Sequence, residues 1–238
     1  MQYMANTVLD KLAIDNNNFI GIFLYGSQNY GLNSDISDED AIILVRDSKK
    51  ASQECVLPTG LVKIYTIDNF IHRLKIGDLE CYEILYTRFC YINPTYKAYF
   101  SEFVTAFSAC MSYSRIKNSL RSKLFEHLYS ILWLPTTMEK AKYNKKRLYW
   151  AIRVCNQLQR ICDGESFADS LLYKSSIAYD VMQIKTITDY LSLKDFNFVY
   201  KYLVNYAEAT PEYVSAVTAD EEICLSAFYS KISSYYKH

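Results

Sequence analysis

Two apolar runs, FIGIFLY (Phe19–Tyr25) and DAIILV (Asp40–Val45), bracket a polar segment with a Gly-Ser at its start and a cluster of carboxylates at its end. Both runs are short and rich in strand-forming residues, so the segment joins two strands. Asp38 and Asp40 then stand at the mouth of the second strand, where burial is imminent and charge is costly. Alternate residues of an extended chain share a face, so Asp38 and Asp40 point one way and Glu39 the other. Two neighbouring carboxylates repel unless a cation lies between them, and Mg²⁺ favours such hard oxygen ligands, with waters or phosphates completing its shell. Gly26 permits close backbone approach, while Ser27 offers a hydroxyl and an amide where the first strand turns, a cradle suited to phosphate oxygens. The two ends of the segment are chemically complementary.

A third run, LVKIYTI (Leu61–Ile67), alternates well enough to be another strand, which makes a small sheet. Helical spacing over residues 3 to about 14 places a helix before the sheet, ended by DNNN. RDSKKASQECVLPTG, between the second and third strands, reads as a loop, with room for a short helical piece. After it Asp68 is a plausible N-cap, Gly77 a plausible stop, and LECYEILYT a second short helix. From Tyr96 the period is helical, with breaks at LPTT, CDGES and EATPEY. The expected fold class is α+β: a small mixed sheet with helices over residues 1–93, then an all-α helical bundle over 94–238.

With 238 residues, 50% of them hydrophobic, the chain is long enough for a sizeable core. Its 26 basic and 26 acidic residues cancel, which argues against bulk attraction to nucleic acid and leaves local patches open. No apolar run spans a bilayer, and the start MQYMANTVLDKLAIDNNN lacks the basic and apolar regions of a signal peptide, so a cytoplasmic protein with no membrane partner is expected. Seven cysteines without a C-x-x-C pair read as free thiols. The three histidines show no catalytic or ligand spacing.

GSQNYGLNSDISDEDAIIL, a Gly-Ser followed after ten residues by D-x-D and an apolar strand, resembles the nucleotidyltransferase superfamily that includes DNA polymerase beta. It is most similar to the bacterial and phage branch of predicted nucleotidyltransferases, with its GSxxYGL and SDxD signature. That resemblance implies the nucleotidyltransferase fold, with Gly26 and Ser27 holding the triphosphate of an NTP such as ATP. It also implies that Asp38 and Asp40 bind the Mg²⁺ or Mn²⁺ ions of a two-metal nucleotidyl transfer. Lys63, Gly77 and Glu83 match the family pattern downstream, and Ser37, Lys63 and Glu83 are placed behind the ligands as supports. For Glu83 a helix-surface charge is the competing reading. In KKRLYWAIRVCNQLQRICDGESF, Lys146 and Arg153 match two cations of a family helix and lie on one face, where they would bind a triphosphate or an acceptor phosphate.

Two positions depart from the pattern. Leu61 stands where a third carboxylate usually completes the metal site, and Trp150 where a histidine is expected. Asp35, Glu39 and Asp68 are the nearest substitutes, although alternation turns Glu39 away and Asp68 serves as a cap. Two function classes therefore remain: an NTP- and metal-dependent nucleotidyltransferase, or a degenerate form of the same fold that grips a nucleotide or partner without turnover. Basic stretches SRIKNSLRSK (114–123) and KAKYNKKR (140–147), with tyrosines nearby, keep RNA such as tRNA open as an acceptor, whereas DNA is not expected. Solvated helix faces are the plainer reading of both stretches.

Overall fold

A computed structural model of the chain describes residues 9–10, 12–26, 29–30, 39–47, 53–57, 60–131, 138–171, 193–214 and 216–234. Five strands, β1 (Phe19–Leu24), β2 (Ala41–Val45), β3 (Gln53–Leu57), β4 (Gly60–Thr66) and β5 (Cys90–Ile92), form one mixed sheet in the order β3-β4-β2-β1-β5. β1 pairs antiparallel with both β2 and β5, β2 runs parallel to β4, and β3 is antiparallel to β4. Every residue of β1 and β2 is buried, which is why both read as unbroken apolar runs rather than alternating ones. The α+β class expected from the sequence is the class observed. The stretch read as a loop before Gly60 contains β3, a correction: five residues at a sheet edge are stabilised by pairing with β4, which has no local signature. β5, three residues long, was likewise absent from the sequence reading.

Helix α1 (Ile67–Lys75) is capped by Thr66, whose side chain accepts from the Asn69 amide, so Asp68 lies in the first turn and is not the cap. Gly77 at φ +81° follows it as the expected stop. Asp78 caps α2 (Leu79–Tyr86) and also receives Arg73 Nη1 at 2.6 Å, tying the end of one helix to the start of the next. Asn93 caps α3 (Pro94–Cys110), and its amide group donates to the Asn16 and Phe19 carbonyls, fastening that helix to the start of β1. Pro94 occupies the first helical turn, where its missing N–H costs nothing.

The chain divides into two compact units, Met1–Ser112 with Ala216–His238, and Tyr113–Ser215. In the first, Leu9, Phe19, Ile22, Leu24, Ala41, Ile43, Val45, Val62 and Ile64 form the core on one sheet face. On the other face Phe23 meets Phe100 of α3 at 5.1 Å, and Phe103 stacks on Phe228 of α8 (Ala219–Ser234) at 4.1 Å. The last helix thus belongs to the sheet-bearing unit. The switch to helical period expected to mark the boundary lies at Asn93-Pro94, whereas the compact units part after Ser112 and again after Ser215.

Among the described residues the regular elements of the second unit are helices: α4 (Tyr113–Tyr129), α5 (Met138–Cys162), α6 (Phe167–Leu171) and α7 (Leu193–Ala209). α4 buries Ile116, Leu120, Leu124 and Leu128, one residue per turn, and packs along α5. The expected break at CDGES is a turn with Gly164 at φ +94°, and EATPEY likewise ends α7. The LPTT break and the first residues of the N-terminal helix lie outside the described residues. Among the described residues no helix is long and apolar enough to cross a membrane, and the six cysteines whose side chains are described are free thiols.

Candidate functional site

The site begins where the β1–β2 ladder ends. The Tyr25 amide donates to the Asp40 carbonyl at 3.1 Å, which sets Gly26 beside Asp40. Gly26 adopts φ +76°, the left-handed region glycine enters without strain, and the Asn29 amide closes a turn on its carbonyl at 3.0 Å. A Cβ built on Gly26 would lie 4.0 Å from Asp40 Oδ2, so that oxygen is directed at the turn. Asp40 Oδ1 instead accepts the Leu61 amide at 3.0 Å. The carboxylate is thereby anchored through one oxygen. Its donor chemistry suits a hard divalent cation, because among the described residues the second oxygen takes no hydrogen bond and keeps its lone pairs for a ligand.

Leu61 comes to Asp40 through register. Ala41 pairs with Val62 in the parallel ladder, so the preceding residues, Asp40 and Leu61, stand side by side. Gly60 makes this possible: at φ +154° it packs so tightly that a Cβ there would meet the Glu39 carbonyl oxygen at 2.6 Å. Gly60→Ala is therefore expected to push β4 away from Glu39 and Asp40, costing about 2 kcal/mol in chemical denaturation. A variant as stable as the wild type would show that β4 does not need this close approach.

Glu83 decides between the two readings the sequence left for it. It is 3% exposed, so it is no surface charge. One of its oxygens takes the hydroxyl of the buried Tyr30, and the other lies 3.4 Å from the Gly26 amide. Tyr30 is the tyrosine of GSxxYG, and its contact with Glu83 links the polar segment to α2 across 53 positions. Thr87 adds a second tie by donating to Asn29 Oδ1 at 2.5 Å.

Lys63 projects from β4 and pairs with Glu80 Oε2 at 2.6 Å, its ammonium 5.3 Å from the Tyr25 ring centre. Burial first, then the carboxylates of Glu80 and Asp40, push the Tyr25 phenol far above its ordinary range. Tyr25 is a neutral hydroxyl here, not a base. The sequence reading missed Glu80, Tyr25 and Tyr30 as neighbours. A usable signal existed in LECYEILY, where Glu80 and Glu83 are three apart on a helix otherwise full of apolar residues.

Ser27, Ser37, Asp38 and Asp35 lie outside the described residues. Among the described residues no three His, Cys, Asp or Glu side chains gather as a cation site. Glu80 is engaged by Lys63 and Glu83 by Tyr30, while Asp68 is exposed on α1.

Lys146 and Arg153 belong to the second unit. Lys146 is exposed, whereas Arg153 is buried with its guanidinium 5.0 Å from the Trp150 ring. The first basic stretch is largely engaged inside its own unit: Arg115 is 1% exposed, Arg121 donates to the Thr210 carbonyl at 2.9 Å, and Lys123 pairs with Glu126 at 2.9 Å.

His127 stacks 6.5 Å from Trp150, with its Nδ1 3.5 Å from Arg147 Nη1. Burial, aided by Lys123, Arg147 and Arg153 against the opposing Glu126, lowers its imidazole from 6.5 to about 4. Between those two values the unfolded chain takes up a proton that the folded chain refuses, so stability falls as pH drops through that window and levels off below it. The loss amounts to about 2 kcal/mol after allowance for residual solvent screening. His127→Gln should flatten the pH dependence of stability between pH 6.5 and 4 by that amount. Parallel curves for variant and wild type would exclude a buried neutral imidazole.

No family model matches the chain, and no curated protein matches it either. Among solved structures, a nucleotidyltransferase-like protein from Exiguobacterium sibiricum 255-15 aligns over 98% of this chain and 79% of its own. The alignment has a TM-score of 0.35 and 8% sequence identity.

Proposed function

We propose that the protein is a nucleotidyltransferase that moves a nucleoside monophosphate from an NTP, ATP among the candidates, to a hydroxyl or phosphate of an RNA, protein or small-molecule acceptor. The observation that carries this reading is Asp40, anchored by the Leu61 amide through one oxygen and presenting the other to the left-handed turn at Gly26. A carboxylate fixed in advance loses little freedom when it takes a ligand.

Asp40, with Asp38, would hold Mg²⁺ or Mn²⁺, which when bound offsets phosphoryl charge and lowers the pKa of an attacking hydroxyl. Gly26 lets the chain turn close to the phosphates, and Ser27 would donate its amide and hydroxyl to them. Glu83 and Tyr30 keep that turn in place, and Ser37 would support the Asp pair. The Lys63–Glu80 pair keeps the wall beside Tyr25 close to neutral. Lys146 and Arg153, in the second unit, are the cations proposed to bind a phosphate.

A second reading, a nucleotide-gripping module without turnover, draws on Leu61: it adjoins Asp40 and brings no carboxylate. Incubating the intact chain with each α-labelled NTP, Mg²⁺ or Mn²⁺ and cell extract separates the two. Label should enter an acceptor with the wild type and not with Asp38→Ala/Asp40→Ala. Label persisting in the double variant would remove the assigned site, and saturable nucleotide binding without label transfer would favour the module.

A further inference from the structure

Outside the candidate site, two thiols meet at the stem through which the chain leaves and re-enters the first unit. Cys110 is the last residue of α3, and Cys224 lies in α8, both half-buried. Their sulfurs are 3.4 Å apart, with the Cys110 thiol donating. A disulfide requires closing that gap by only about 1.4 Å. The two residues are separated by 114 positions, and the intervening chain holds the whole second unit, Tyr113–Ser215.

The stem is already gathered by one buried carboxylate. Glu221, fully buried, accepts the Ser112 amide at 2.8 Å through Oε1 and the Thr218 amide at 2.8 Å through Oε2. Thr218 Oγ1 accepts the Glu221 amide in return, at 3.2 Å, so a capping box at the start of α8 also grips the end of the α3 segment. Outgoing and returning chain are thus held together one turn from Cys224. This keeps the two sulfurs in register without a covalent bond.

We propose that Cys110 and Cys224 are a reversible redox modification site, forming a disulfide that ties together the outgoing and returning chain. The oxidant is a low-molecular-weight disulfide. Cys224, as thiolate, attacks one of its sulfurs and expels one small thiol, giving a mixed disulfide. Cys110 then loses its proton to solvent and attacks Cys224 Sγ, expelling the second small thiol. One protein dithiol is oxidised and one small disulfide is reduced to two thiols. Burial first, then the hydrogen bond to Cys224 and the neighbouring Glu221 and Asp220, push the Cys110 thiol up to about 12, so Cys110 is the later of the two to react.

Closing so long a loop restricts the unfolded chain strongly, and oxidation should raise the melting temperature by roughly 5 °C or more. The test treats the intact wild-type chain with glutathione disulfide, quenches with acid, and maps peptides by mass spectrometry beside a non-reducing gel. The expected result is a Cys110–Cys224 linked peptide, faster migration of the denatured chain, and reversal of both by dithiothreitol. Cys110→Ser should instead accumulate a glutathione adduct at Cys224 with no change in migration. Two unreacted thiols, two separate glutathione adducts, or linkage of Cys110 to another cysteine would each overturn the proposal.

Discussion

Asp40→Asn is expected to leave the protein folded and to cut label transfer by about 10³-fold. The two effects separate because the two oxygens of Asp40 do different work. An Asn carbonyl can still accept the Leu61 amide that Oδ1 accepts at 3.0 Å, so β4 keeps its hold on the end of β2. The other position becomes a neutral amide donor facing the Gly26 turn. It can neither take a divalent cation nor tolerate one nearby. Initial rates with an α-labelled NTP, set beside thermal melts of both proteins, read the two quantities independently. An Asn variant with wild-type rates would take Asp40 out of the reaction, whereas one that fails to fold would assign it to structure.

The second large effect belongs to Glu83. Glu83→Leu removes a buried carboxylate together with the hydrogen bonds it accepts from the Tyr30 hydroxyl and the Gly26 amide. The expected destabilisation is about 3 kcal/mol, the scale for breaking one side of a buried charged hydrogen bond. In a chain of 238 residues this lowers the melting temperature by roughly 10 °C. At 3.4 Å the Gly26 contact is long, so most of the effect should run through Tyr30. Tyr30→Phe in the Glu83→Leu background should then cost little, with a coupling energy above about 1 kcal/mol in the double-mutant cycle. Additive losses would show that the two residues stabilise the turn separately.

These two residues mark how far the site was legible. Gly26 and Asp40 stand out because a glycine beside a strand end and a carboxylate at a strand mouth are anomalies that local chemistry can read. Glu83 reads from the sequence as either a surface charge or a supporting group, since helical periodicity places it on a face without saying what covers that face. An exposure of 3% excludes the surface charge, and Glu83 takes the Tyr30 hydroxyl instead. Leu61 was singled out as a departure, and the register places it beside Asp40. Its amide, which no side-chain pattern reports, turns out to be the part that matters to the carboxylate.

The same division runs through the fold. β1 and β2 are visible in the chain because burying both faces of a central strand demands a continuous apolar run, and β4 because its residues alternate; both patterns are local properties. The stops at Gly77 and around Gly164 are visible because only glycine enters the left-handed region cheaply. β3 and β5 are not, because an edge strand of five or three residues owes its existence to the ladder beside it. Nor is the return of α8 to the first unit, which rests on the Phe103–Phe228 stack and on Glu221 reaching back to Ser112 across 109 positions. Residues adjacent along the chain carry their own conformational preferences, and those can be read in order. Which distant surfaces meet depends on a search over all pairings, and only the packed molecule records its outcome.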